Sequence, residues 1–197
     1  QLRVGDLRQD AVDQAVPQGG DAGLVLRKPG LHEDNGRPQP HDARAPRWKP
    51  SVTVAAVIER EGRYLLVEEH TRAGLRLNTP AGHLEPGETP QQGAVREALE
   101  ETGHLFAPQA LLGIYLAASP DAQGVPTTWV RLAFCGTAQA LDPLPALDEG
   151  IVRALWMTPD EIAATQQRHR SPLVWRCVRD HLRGQRLPLD AIYTDAT

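Results

Sequence analysis

Cysteine is scarce: Cys135 and Cys177 are the only two among 197 residues. They lie far apart and form no CxxC or zinc-type spacing, so we expect buried, reduced thiols in a cytoplasmic protein. No run of about 18 apolar residues is present, and no membrane span is expected. No charged n-region leads into an apolar h-region and a small-residue cleavage site, so no signal peptide is expected. An excess of positive charge is missing as well: 21 Lys and Arg stand against 25 Asp and Glu, a formal net charge of -4. Nucleic-acid backbones select clustered Lys and Arg, so a nucleic-acid partner is not expected. Before Pro50 the one aromatic is Trp48, and apolar residues there lack a sustained period. Gly19-Gly20, Pro29-Gly30 and Pro38-Gln39-Pro40 punctuate the same stretch. Such a segment buries too little surface to offset its ordering entropy. Residues 1–46 are therefore expected to be a disordered or loosely ordered extension, and the start at Gln1 fits a fragment or upstream extension. Residues 47–197 are expected to be one domain.

What is present begins near Trp48. The β-branched run Val52 to Ile58 and the run Tyr64 to Val67 flank Glu61-Gly62, which predicts a hairpin. A short extended piece, Leu75 to Thr79, leads into Pro80. Thr89, Pro90 and Gln92 supply an N-cap, a first-turn proline and a capping box, which predict a helix to Thr102 stopped by Gly103. Leu111 to Ala118 and Thr127 to Thr137 form a second predicted hairpin around Ser119 to Gly124. A Pro-rich loop precedes a strand at Ile151 to Trp156. Thr158-Pro159-Asp160-Glu161 opens a second helix, and Ser171-Pro172 opens a third that ends near Arg183-Gly184. The fold class is α+β, with helices packed on a mixed sheet.

The predicted first helix carries Arg96, Glu97, Glu100 and Glu101. Positions three and four apart share a helix face, so three carboxylates crowd one stripe. The like charges at Glu97 and Glu101 should cost the helix roughly 0.2–0.5 kcal/mol. A bound cation reverses that sign, and hard carboxylate oxygens suit Mg²⁺ or Mn²⁺. The competing reading is a solvated face with an Arg96–Glu100 pair. The residues ahead of the helix decide between them. Gly82 is followed by five residues and Glu88; seven more lead to Arg96-Glu97-Ala98-Leu99-Glu100-Glu101-Thr102-Gly103-His104. Glu88 falls beside the helix N-terminus, where negative charge is favoured.

This string resembles the Nudix box, the signature of the MutT-like Nudix hydrolases. From average residue usage, seven matched positions arise by chance in such a chain on the order of one time in a million. His104 departs from the pattern, where an aliphatic is usual; the position is a packing contact. The resemblance implies an α/β/α sandwich around a mixed sheet and a phosphohydrolase acting on acid anhydrides. It implies that Glu97, Glu100, Glu101 and the Gly82 carbonyl hold Mg²⁺, with Mn²⁺ as the other candidate metal. Arg96 would hold the carboxylate cluster and Glu88 would brace the loop. The metal would neutralise phosphate oxygens and polarise a water for in-line attack. Either Glu100 or Glu101 would take the proton. Glu149, with Asp148 as its neighbour and rival, is a candidate acid from a distant loop; a solvated loop acid is the competing reading.

The flanks narrow the resemblance. Trp48 to Val57, Asn78 to Glu85, Arg170 to Val174 and Gly184 to Leu189 look like the NudJ-type phosphatase subgroup. That subgroup is associated with orthophosphate release from nucleoside tri- and diphosphates and from hydroxymethylpyrimidine diphosphate. Asn78, His83, Trp129 and Arg131 are candidates to line a small phosphorylated substrate, with Leu75 and Leu77 beside them; ordinary strand packing is the competing reading. Three alternatives compete with this reading. An ADP-ribose or nucleotide-sugar pyrophosphatase is suggested by Pro120, although a hairpin turn explains that proline. A non-catalytic sensor predicts an eroded box, and this box is intact. An RNA 5′-end pyrophosphohydrolase needs a basic patch, for which Arg168, Arg170, Arg176 and Arg179 are the candidates. The oligomeric state, monomer or homodimer, stays open.

Overall fold

The computed structural model describes residues 48–121 and 123–195. The loose extension expected over residues 1–46 lies outside them. The described residues form seven strands: β1 (Ser51–Arg60), β2 (Arg63–Thr71), β3 (Gly74–Asn78), β4 (Ala81–His83), β5 (His104–Pro120), β6 (Pro126–Ala140) and β7 (Ile151–Met157). They form three helices, α1 (Pro90–Thr102), α2 (Pro159–Ala164) and α3 (Leu173–Leu182), and two single 3-10 turns. None of these helices is long and apolar enough to cross a membrane.

The β1–β2 hairpin forms because Glu61 and Gly62 both take positive φ, 52° and 76°, as a two-residue turn matched to strand twist requires. The arms do not stay together. β1 and β2 pair only at Glu59↔Tyr64 and Arg60↔Arg63. Beyond that point the edge of β1 takes β4, through Thr53↔His83 to Ala55↔Ala81. The edge of β2 takes β3, through Val67↔Asn78 to Thr71↔Gly74. The sheet therefore opens, and Asn78-Thr79-Pro80 crosses the opening from β3 to β4. Pro80 is tied there by its carbonyl, which accepts from the Ala56 amide at 2.9 Å.

β1 pairs parallel with β6, and β6 pairs antiparallel with β5 along almost its full length, so the sheet is mixed as expected. β5 starts at His104, seven residues earlier than its apolar run suggested, because the chain leaves Gly103 directly into the ladder. Two cores flank the sheet. On one side Ala94 and Ala98 of α1 pack on Val54, Ala56, Ile58, Leu65, Leu111 and Phe134. On the other, Ile162 of α2 and Val174, Cys177 and Val178 of α3 pack on Ala55, Val57, Leu66 and Leu112. Helix on sheet on helix is the expected sandwich. α3 begins one residue later than Ser171 implied: its N-cap is Pro172, which has no side chain to cap with. His104, the departure from the sequence pattern, is buried. Its ring packs edge-on against Trp156 at 5.9 Å and its Nδ1 meets the Thr102 carbonyl at 2.8 Å.

Candidate active site

The ends of α1 fix where its carboxylates stand. Thr89 Oγ1 accepts from the Gln92 amide at 3.2 Å, and Gln92 Oε1 accepts from the Thr89 amide at 2.8 Å. Pro90 opens the helix, and Gly103 closes it in the left-handed conformation at φ 68°. With Gly93, Ala94 and Ala98 buried against the sheet, the adjoining stripe turns toward the Gly82–Glu88 loop.

Arg96 ties that stripe to the loop. Its Nε and Nη2 donate to the two oxygens of Glu88 at 3.1 and 2.8 Å. Its Nη1 donates to Glu97 at 2.7 Å and to Glu100 at 3.0 Å. Nη2 also reaches the His83 carbonyl at 2.9 Å. Glu88 in turn accepts from the Glu85 amide at 2.8 Å, closing the loop on itself. Bonding to Arg96 holds the Glu88 carboxyl below its usual range and keeps Arg96 firmly charged.

Glu97 and Glu101 are both buried, 7% and 8% exposed. Burial pushes the Glu97 carboxyl up, against the pull of Arg96. Glu101 has no Arg partner; the Ala81 amide donates to it at 2.9 Å. Burial, reinforced by Glu97, Glu69 and Asp148, raises its pKa to about 8. Gly82 has no room for a side chain, since a Cβ there would overlap the Glu97 carboxylate.

Such a donor set fits a divalent cation. It offers hard oxygens, and burial pushes two of its carboxylates, Glu97 and Glu101, toward their neutral forms, a cost that a bound cation would offset. Among the described residues no three acidic, His or Cys side chains are gathered into a closed cage, because Arg96 engages Glu97 and Glu100 while Ala81 engages Glu101. A cation would compete with Arg96 for the first two.

The two candidate acids of the distant loop, Glu149 and Asp148, are both exposed. The Asp148 amide donates to the Glu100 carbonyl at 3.0 Å, and the Asp148 carboxylate acts electrostatically on Glu97 and Glu101. The Ile151 amide donates to the Asp148 carbonyl at 3.0 Å and closes the Asp148–Gly150 turn.

Three of the expected substrate residues, His83, Trp129 and Arg131, lie on one sheet face. Thr53 pairs with both His83 and Arg131, and Arg131 pairs with Tyr115. Directly paired residues share a face, so Tyr115, Arg131, Thr53 and His83 form one row, with Trp129 two residues along β6 on the same face. The His83 and Trp129 rings lie 5.7 Å apart. Arg131 is buried with Nε and Nη1 unpartnered. Asn78 is buried at the crossing with its Oδ1 unpartnered. Leu77 belongs to the core, and Leu75 is exposed. Sequence reasoning missed Glu69 of β2, which is buried with Oε1 unpartnered. Its signal was the Glu68-Glu69 pair: adjacent acids in an interior strand must face opposite layers.

The basic cluster is largely neutralised. Arg168 pairs with Glu68 and Arg170 with Glu69, and Arg176 pairs with Asp180 at 2.7 Å. Two concavities of about 250 and 460 Å³ lie at the Glu59 end of β1, and neither is lined by α1 or its loop.

A family model described as the NUDIX domain matches residues 47–175. The chain belongs to the Nudix hydrolase family. It is 37% identical over 145 residues to the phosphatase NudJ of Escherichia coli, covering 74% of this chain and 92% of that protein. It is 52% identical to a NUDIX hydrolase from Nitrosomonas europaea, with a TM-score of 0.70, covering 76% of this chain and 100% of that one. A MutT NUDIX hydrolase from Burkholderia pseudomallei, 20% identical with a TM-score of 0.55, shares the fold over 68% of this chain and 98% of its own. This Nudix protein is thus a phosphohydrolase, from a family that works on small phosphorylated substrates with divalent cations.

Proposed function

We propose that this enzyme hydrolyses phosphoanhydride bonds of nucleoside tri- and diphosphates, or of hydroxymethylpyrimidine diphosphate, with release of orthophosphate and with Mg²⁺ as its metal. The single observation that carries the reading is the α1 stripe. Glu97, Glu100 and Glu101 share one helix face beside Gly82, and Glu97 and Glu101 are buried with raised pKa values. The likeness to a phosphatase over nearly its whole length supports the product.

The chain's own groups divide the work. Glu97, Glu100, Glu101 and the Gly82 carbonyl would hold the cation, which when bound neutralises phosphate oxygens and polarises water. Arg96 and Glu88 position the stripe and loop. Glu100 or Glu101 would take the proton of the attacking water. Asp148 adds negative charge over Glu97 and Glu101. Trp129 and His83 offer ring faces, and Asn78 and Arg131 offer polar groups, to the part of the substrate beyond the phosphates. The Nudix domain is taken to span residues 47–197, with residues 1–46 as an accessory extension. The two buried free cysteines agree with a cytoplasmic, reducing location.

The test is a product-resolved screen with Mg²⁺ over nucleoside tri- and diphosphates, hydroxymethylpyrimidine diphosphate, ADP-ribose and 5′-triphosphorylated RNA. The reading expects orthophosphate from the first two classes. Turnover confined to ADP-ribose, or pyrophosphate as the released product, would overturn it.

A further inference from the structure

Around the opening of the sheet stand buried polar atoms that have nothing to bond. Glu69 Oε1, Asn78 Oδ1 and Arg131 Nε and Nη1 are all shielded from solvent and unpartnered. The three residues are 9%, 3% and 8% exposed. An unmade buried hydrogen bond costs about 1–3 kcal/mol, more for a charged group, so this many at one place calls for a partner that the chain does not contain. They are one neighbourhood. Asn78 pairs with Val67, two residues along β2 from Glu69, so the two polar side chains share a sheet face; Arg131 acts on the Glu69 carboxyl, and Glu69 and Glu101 both act on Arg131. Arg170, bonded to Glu69 and half exposed, stands between that carboxylate and water.

The kinds of atom narrow the partner. Glu69 and Asn78 present two acceptor oxygens, which ask for N–H donors. Arg131 presents donors, which ask for a ring nitrogen or a carbonyl oxygen. A second phosphate group does not suit the place, because the free Glu69 oxygen would repel it. We infer that Glu69, Asn78 and Arg131 form a ring-recognition subsite beside α1, which takes a heterocycle bearing an exocyclic amino group next to a ring acceptor and rejects the keto analogue. The amino hydrogens meet Glu69 and Asn78, and the ring acceptor meets Arg131. A keto oxygen in the same position would face two acceptors and leave them unsatisfied. Trp129 and His83, on the same sheet face as Arg131, give the ring a flat wall. This rests on the proposed hydrolysis of nucleoside diphosphates and adds which rings the site admits.

Two matched pairs test it: CDP against UDP, and ADP against IDP, each differing by one amino-to-keto exchange. The wild-type enzyme should favour the amino member by about tenfold in kcat/KM, the discrimination expected of a directed ring contact. In Glu69→Gln the amide can turn to donate, and both ratios should fall toward one. Calorimetric binding of CMP and UMP to metal-free protein should show the same preference and the same loss, independent of catalysis. Equal kcat/KM within both pairs for the wild type would overturn the inference while leaving the hydrolase reading intact. So would a Glu69→Gln variant that slows amino and keto substrates alike, the mark of a purely structural carboxylate. Absence of any diphosphate turnover, with no binding of either monophosphate, would overturn the hydrolase reading and this subsite with it.

Discussion

Arg96 grips Glu88 through two parallel bonds, Nε and Nη2 to the two carboxylate oxygens at 3.1 and 2.8 Å. The third nitrogen of the same guanidinium holds Glu97 and Glu100. One side chain thus fixes both the loop and the helix stripe.

Replacing Arg96 should therefore be costly in two ways. Arg96→Ala leaves the mostly buried Glu88 and Glu97 carboxylates without their partner, a change of about 3 kcal/mol at the low end of broken buried pairs. For a chain of this size the melting temperature should fall on the order of 10 °C. Arg96→Lys keeps the charge but loses the fork, so its melting temperature should lie between those of wild type and Arg96→Ala. A lysine variant as stable as wild type would show that the fork is dispensable.

Gly82→Ala probes the approach of loop to helix. The added Cβ overlaps the Glu97 carboxylate and must displace it. A displacement of about 1 Å at a reacting centre can cost about 100-fold, and a loss of that order in kcat/KM is expected with circular dichroism unchanged. Activity within a few-fold of wild type would mean that Glu97 has freedom to move.

The two capping boxes separate stability from function. Thr89→Ala and Thr158→Ala each remove an N-cap, worth about 1 kcal/mol, and each should lower the melting temperature by a few degrees. Thr89 caps the helix that carries Glu97, Glu100 and Glu101, whereas Thr158 caps α2. Only Thr89→Ala should also lower kcat, which paired melting and rate measurements would read.

The local features of this fold were legible in sequence because their causes are local. The Thr89-Pro90-Gln92 start of α1 and its Gly103 stop depend on neighbours within four residues. The Glu61-Gly62 turn does as well. The parallel register of β1 with β6 was not legible, since it joins residues some 80 apart that share no local signal. Without that register, the row Tyr115, Arg131, Thr53 and His83 cannot be assembled. Glu69 escaped for the same reason: its neighbours Asn78, Arg131 and Arg170 come from three other segments. The bond from the Asp148 amide to the Glu100 carbonyl at 3.0 Å was not legible either, because it joins a loop to a helix far away in sequence.

His181 gives a pH prediction away from the active site. Its Nδ1 lies 2.7 Å from the Tyr64 hydroxyl. Burial, helped by Arg186 and opposed by Glu59, lowers its pKa from 6.5 to about 4. Between those values the unfolded chain binds the proton and the folded chain does not. Its contribution to stability is thus complete above pH 6.5 and is lost as the pH falls toward 4. Melting curves of metal-free wild type and His181→Asn should converge from pH 7.5 to pH 5, with the wild type falling more steeply. Parallel pH dependences would show that His181 does not titrate in this way.

The central claim is that the α1 carboxylates work through a divalent cation on a phosphoanhydride. The direct measurement is orthophosphate release from CDP by wild type and Glu101→Gln, with Mg²⁺ and with excess chelator. The account predicts release by wild type only with the metal. It also predicts a fall of about two orders of magnitude or more in Glu101→Gln, since metal-borne charge stabilisation is worth several kcal/mol. Equal rates for the two proteins, or wild-type activity that survives the chelator, would contradict it.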